Sequence, residues 1–283
     1  MDSAGEKAAA LQQQVVALLY SDPARAAELV SEGRAWAEAS GSALAEAYAT
    51  RGEAHLAYSR GHHEQAARLY EQALERFTAE GQEGEAGRTL SSGLQTLILL
   101  SRYDQAREWA DRAEAIFTRQ GDTLRLARLD SNVGNIFFRM DRPRDALARY
   151  ERALERFTGA GDAKDVAAAL SNIAVCQMES GRLSEARATF EKARAHCEAN
   201  GLEPLAAQAD YNIAYLCFLR GDYREAARLY GLSRQRCERA GDSYHAGLCD
   251  LDEAEMSLEL NLGHEGQLLA ARAAERFREL GMR

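Results

Sequence analysis

Few residues of this chain are spaced as catalytic chemistry would need them. His63-Glu64 opens an H-E-x-x-H zinc pattern, but Ala67 stands where the second histidine must be, and His264-Glu265 fails likewise at Leu268. His55, His62 and His63 could share a metal, yet no cysteine or paired carboxylate falls in phase with them, so a solvated turn is the simpler reading. No G-x-S-x-G elbow occurs. The three lysines, Lys7, Lys164 and Lys192, never follow a glycine, which removes the phosphate loop. Gly81, Gly84 and Gly87 lack the preceding strand that a dinucleotide site requires. The expectation is a chain with no catalytic residues, no cofactor and no metal site.

What remains is recognition chemistry. Asn132, Asn172 and Asn212 recur every forty residues. A primary amide offers two donors and an acceptor, which suits the alternating C=O and N–H of an extended peptide. The same amides could instead bond to a neighbouring backbone and fix how elements stack, and the spacing leaves both readings open.

The elements that must hold these amides follow from the same period. Gly41, Gly81, Gly121, Gly161, Gly201, Gly241 and Gly281 stand forty residues apart, with Ser21, Gly61, Ser101, Asp141, Gly181, Gly221 and Asn261 halfway between them. Glycine, and among other residues asparagine and aspartate, tolerates the left-handed backbone that ends a helix. Pro23, Pro143 and Pro204 fall two or three residues beyond such a turn, where a helix starts and a missing N–H costs nothing. Asp22, Asp122, Asp162, Asp222 and Asp242 stand where N-caps belong. The spacing therefore predicts seven helical hairpins, at about 1–40, 41–80, 81–120, 121–160, 161–200, 201–240 and 241–280, forming one domain over 1–283.

Small residues mark where helices cross closely. Ala26, Ala66, Ala106, Ala146, Ala186, Ala226 and Gly266 form one column, and Ala47, Gly87, Ala127, Ala167, Ala207 and Gly247 another. Bulky columns are expected to fill the core: Phe77, Phe117, Phe157, Cys197, Cys237 and Phe277 in one, Tyr58, Ile98, Phe138, Met178, Phe218 and Leu258 in the next. Cys197 and Cys237 are thus read as packing residues, while Cys249 could be buried or exposed.

The pattern resembles the tetratricopeptide repeat (TPR) family. Asn132-Val133-Gly134-Asn135-Ile136-Phe137 followed by Asp141, Ala146, Tyr150 and Ala153 matches best. Asn172-Ile173-Ala174 with Gly181, Ala186, Phe190 and Ala193, and Asn212-Ile213-Ala214 with Gly221, Ala226 and Tyr230, repeat it. Departures are Gly52, Ser92 and Asp252 in place of the asparagine, and Ser233 in place of an alanine. The resemblance implies an all-α right-handed superhelix, an α-solenoid, that binds a protein or peptide in its concave face. The forty-residue unit is similar to that of Pins-type polarity adaptors, peptide-sensing bacterial regulators, MalT-like activators and N-terminal halves of CHAT-domain proteases. It therefore also implies two alternatives, a sensory or autoinhibitory module of a larger enzyme and a peptide-sensing regulator of transcription. Three lysines among 35 basic residues look like a bacterial genome of high GC content.

Each helical residue turns the chain by 100°, so positions 8, 12, 15 and 19 of each repeat share one face of the first helix, the face expected to line the groove. It reads Tyr48, Gly52 and His55, then Arg88, Ser92 and Gln95, then Arg128, Asn132, Asn135 and Arg139, then Asn172, Asn212 and Tyr215, and finally Asp252, Glu255 and Glu259. Arg51 joins the early arginines and Asp250 the late acids, which predicts a trough basic at one end and acidic at the other, or else ordinary solvated charge.

Gly84, Gly87 and Gly93 crowd one helix, and only Gly87 belongs to a small-residue column, so a soft seam is expected near 82–100. The last hairpin carries Leu268, Leu269 and Leu280 with no polar closing helix behind them. A continuation of the chain into a further domain, or a partner covering this end, is the expectation. With a net charge of −9 and no basic run, nucleic-acid binding is not expected. No 18-residue apolar window, no leader at the first residues and five cysteines without a C-x-x-C pair point to a cytoplasmic protein with free thiols and no membrane partner.

Overall fold

A computed structural model describes residues 3–19, 21–160 and 163–282 of the chain. The described residues are all-α, with fourteen helices in tandem. They group into two compact units, Met1–Arg142 and Pro143–Arg283.

The first unit holds α1 (Ser3–Leu18), α2 (Pro23–Ser40), α3 (Ala43–Ser59), α4 (His63–Ala79), α5 (Glu83–Leu99), α6 (Tyr103–Gln120) and α7 (Thr123–Arg139). Each helix packs on the next, and α1 also meets α3, as α5 meets α7. The second unit holds α8 (Pro143–Ala160), α9 (Ala163–Glu179), α10 (Leu183–Ala199), α11 (Glu203–Leu219), α12 (Tyr223–Ala240), α13 (Ser243–Glu259) and α14 (Gly263–Glu279). Here too successive helices pack together, and α11 touches both α9 and α13.

The turns are built as their residue types require. Gly41, Gly81, Gly121, Gly201 and Gly241 have positive φ, and so do the non-glycine residues Ser101, Asp141 and Asn261 at 57°, 56° and 60°. The N–H three residues after the helix then reaches back across the turn, as in Arg102 N to Leu97 O at 2.8 Å. Asp22, Asp122, Asp222 and Asp242 accept the N–H three residues on. Pro23 and Pro143 open their helices and Pro204 is second in α11. Gly161 and Asp162 lie outside the described residues.

The crossings explain the small columns. A Cβ on Gly87 would sit 2.9 Å from Phe117 Cε1, and one on Gly247 2.9 Å from Phe277 Cε1. Alanines 26, 66, 106, 146, 186 and 226 are wholly buried. Phe77, Phe117, Phe157, Cys197 and Cys237 are buried as expected. The second bulky column is less interior than expected. Ile98 is buried, Tyr58, Phe138, Met178 and Phe218 are only partly so, and Leu258 is 62% exposed.

The glycines of α5 are also better explained than the sequence suggested. A Cβ on Gly93 would lie 2.4 Å from Trp109 Cζ3 and 3.4 Å from Tyr70 Cγ. Gly93 is therefore a close approach between helices, and the unexplained surplus reduces to Gly84, whose neighbour is the flexible end of Gln120.

Candidate functional site

In the first unit the expected face is only partly a surface. Tyr48 is 2% exposed and meets Phe77 edge-on, with ring centres 5.0 Å apart, so it belongs to the core and lines no groove. Arg51 is likewise buried. Its guanidinium reaches Glu85 Oε2 at 2.6 Å, Thr89 Oγ1 at 3.2 Å and Gln12 Oε1 at 3.0 Å, between the rings of Tyr48 and Phe77. Such a desolvated cation must be paired in place, and it offers no charge to a partner. Gly52 is buried as well, with Gln12 and Val30 nearest to it.

His55 is partly buried, and its Nδ1 shares a 2.8 Å hydrogen bond with the Tyr70 hydroxyl. Burial, with the Arg51 charge adding to it, holds the imidazole down to about 3, so it is neutral near pH 7. His62 is exposed and His63 partly buried. Among the described residues no group of three His, Cys, Asp or Glu is placed to hold a metal ion. Arg88 does face solvent, 2.8 Å from the Glu85 carboxylate that also takes Arg51. Arg128 and Arg139 are exposed; Gln95, Asn132 and Asn135 are partly so.

The second unit brings its residues together in a row. Asn172 on α9, Asn212 on α11 and Asp252 on α13 occupy the same register on three helices that pack in sequence. All three side chains are partly exposed. The Asn172 and Asn212 amides have no hydrogen-bond partner among the described residues. Asp252 is held by the Tyr211 hydroxyl, which donates to Oδ2 at 2.6 Å. Burial raises the Asp252 carboxyl above the ordinary range, and the Tyr211 bond pulls it back.

Sequence reasoning passed over Tyr211, one position from the register, and Tyr230, whose wholly buried hydroxyl has no hydrogen-bond partner among the described residues and whose ring lies 5.9 Å from that of Tyr211. Tyr215 packs near Phe218, while Glu255 and Glu259 are exposed. Asp250 is corrected in the same way as Arg51: it is fully buried, between Arg234 at 2.8 Å, Arg272 at 2.6 Å and Arg276 at 3.0 Å. The two charged positions assigned wrongly, Arg51 and Asp250, precede the register by one and two residues and are both buried.

All five cysteines are buried free thiols, and Cys249, which the sequence left open, bonds the Ser233 hydroxyl at 3.3 Å. None of the described helices is long and apolar enough to cross a membrane.

A sequence profile of the tetratricopeptide repeat matches residues 95–159, 125–199 and 165–239, together a little over half of the 283 residues. No curated protein matches the chain. Among solved structures, a Rap protein complexed with competence and sporulation factor is similar over 90% of this chain and 80% of its own, at 17% identity and a TM-score of 0.67. Aspartyl phosphate phosphatase F from Bacillus subtilis is similar over 98% and 84%, at 14% identity and a TM-score of 0.70. The Rap conjugation gene regulator of plasmid pLS20, in complex with the Phr* peptide, is similar over 87% and 77%, at 16% identity and a TM-score of 0.61. At these identities the likeness is one of fold.

Proposed function

The chain belongs to the tetratricopeptide repeat family, and from that premise we propose that it is a non-catalytic scaffold which holds an extended peptide segment along the row Asn172, Asn212 and Asp252. The single observation that carries this reading is the pair of unbonded amides at one register on the packed helices α9 and α11. Amides free of local bonds present donors and an acceptor to a backbone without any protein contact having to break first. The row is held on helices, so little ordering of the scaffold is needed when a ligand arrives. Asp252, oriented by Tyr211, and the exposed Glu255 favour a basic side chain at that end of the peptide. The similar structures described with a peptide or a factor bound support the reading by analogy of fold alone.

The test is a selection of random peptides displayed on phage, followed by titration of the winners. Winners should bind wild type and lose about tenfold or more in affinity to Asn172→Ala combined with Asn212→Ala, with helicity unchanged. A selection that enriches nothing, or winners that bind the double variant equally, would refute the proposal.

A further inference from the structure

At two positions the last hairpin carries leucine where every earlier repeat carries a polar residue or alanine. Position 22 of the earlier repeats is Asp22, His62, Arg102, Arg142, Arg182 and Asp222, then Leu262. Position 28 runs Glu28, Arg68, Glu108, Ala148, Ala188 and Arg228, then Leu268. These two leucines are 45% and 58% exposed. They border a cleft of about 670 Å³ between α12 and α14, with Tyr223 and Ala227 on one wall and Met256 on its floor. Clustered exposed apolar side chains mark contact surfaces, whereas scattered ones need no explanation.

The charges of the cleft identify its occupant. Glu253 and Arg272 also line it, but each is already engaged, by Arg234 at 2.7 Å and by Asp250 at 2.6 Å. Arg224 on the α12 wall and Glu265 on the α14 wall are exposed, and neither has an ion-pair partner among the described residues. An exposed cation on one wall and an exposed anion on the other thus flank an apolar surface edged by leucines. We infer that this face is a homodimer interface, with a second copy of the chain as its occupant. A two-fold axis along the cleft sets Arg224 of each copy against Glu265 of the other, and brings Leu262 and Leu268 of each against Tyr223 and Ala227 of its mate. Opposite charges on its two walls make this face complementary to itself under a two-fold axis.

The experiment is sedimentation equilibrium of the full chain, with circular dichroism to confirm that each surface variant stays folded. Wild type should have twice the chain mass at micromolar concentration. Arg224→Glu alone and Glu265→Arg alone should each weaken the dimer by about a hundredfold, because two like-charge contacts replace two ion pairs. An equimolar mixture of these two variants should recover dimer, since every contact between them is again of opposite charge. Leu268→Glu should also dissociate it. A monomeric wild type overturns the inference and leaves the cleft to another protein or to further chain. A dimer indifferent to these substitutions overturns it too, by placing the interface elsewhere.

Discussion

Arg234 Nη1 lies 2.8 Å from Asp250 Oδ1, tying the second helix of one hairpin, α12, to the first helix of the next, α13. Forty residues earlier Arg194 stands 3.1 Å from Asp210 in the same relation. A second arginine, at position 36 of the same repeat, closes each clamp: Arg276 on Asp250 and Arg236 on Asp210. In the first unit Thr50 takes the acceptor's place, between Arg34 at 3.3 Å and Arg76 at 2.8 Å. The clamp joins three successive helices at one buried point, so it sets their stagger as well as their distance. Asp250→Asn should cost about 3 kcal/mol, because it leaves arginines packed against a neutral amide. Glu255→Gln, on the exposed face of the same helix, should change stability by less than about 0.5 kcal/mol. Urea denaturation of both variants beside wild type checks this.

Two of the three glycines of α5, Gly93 and Gly84, should respond in opposite directions to the same substitution. Gly93→Ala drives a methyl into Trp109 and should destabilise by about 1–3 kcal/mol, despite the better helix propensity of alanine. Gly84→Ala meets only the movable end of Gln120 and should be neutral or stabilising by up to about 1 kcal/mol. Adding Trp109→Leu to Gly93→Ala should recover part of the loss. Thermal melts of the three variants decide it.

His55 makes stability depend on pH in a predictable window. Its folded value, near 3, lies below the unfolded one of about 6.5. Between these values the unfolded chain binds a proton that the folded chain refuses, so stability is full above about pH 6.5 and falls as pH drops. The slope is about 1.4 kcal/mol per pH unit, which makes the loss from pH 7 to pH 5 about 2 kcal/mol from this residue. His55→Gln should remove that share of the slope in denaturant titrations at the two pH values. An unchanged slope would mean that the imidazole titrates freely in the folded protein.

The thiols should be inert until the fold opens. Burial pushes Cys176 up to about 11 and Cys249 up to about 12, and all five side chains are out of solvent. An aromatic disulfide reagent at pH 7 should label fewer than one thiol per native chain and all five in denaturant. Rapid labelling of the native protein would show that a repeat opens readily.

The helical hairpins, their turns and their close crossings could be read directly from the chain. A left-handed turn at Asn261, a capping bond to Asp122 or a proline at the start of α8 each depends on residues within a few positions of one another. Such chemistry leaves its mark wherever the unit recurs. The burial of Tyr48, Arg51 and Asp250, and the bond from Tyr211 to Asp252, were decided only in three dimensions. Periodicity gives the angle of each side chain about its own helix, but where a face turns from core to solvent depends on how closely, and at what angle, the neighbouring helices cross. Asp250 and Asp252 differ by two residues and one chemistry; the arginines of α12 and α14 surround the first and leave the second to Tyr211 and solvent.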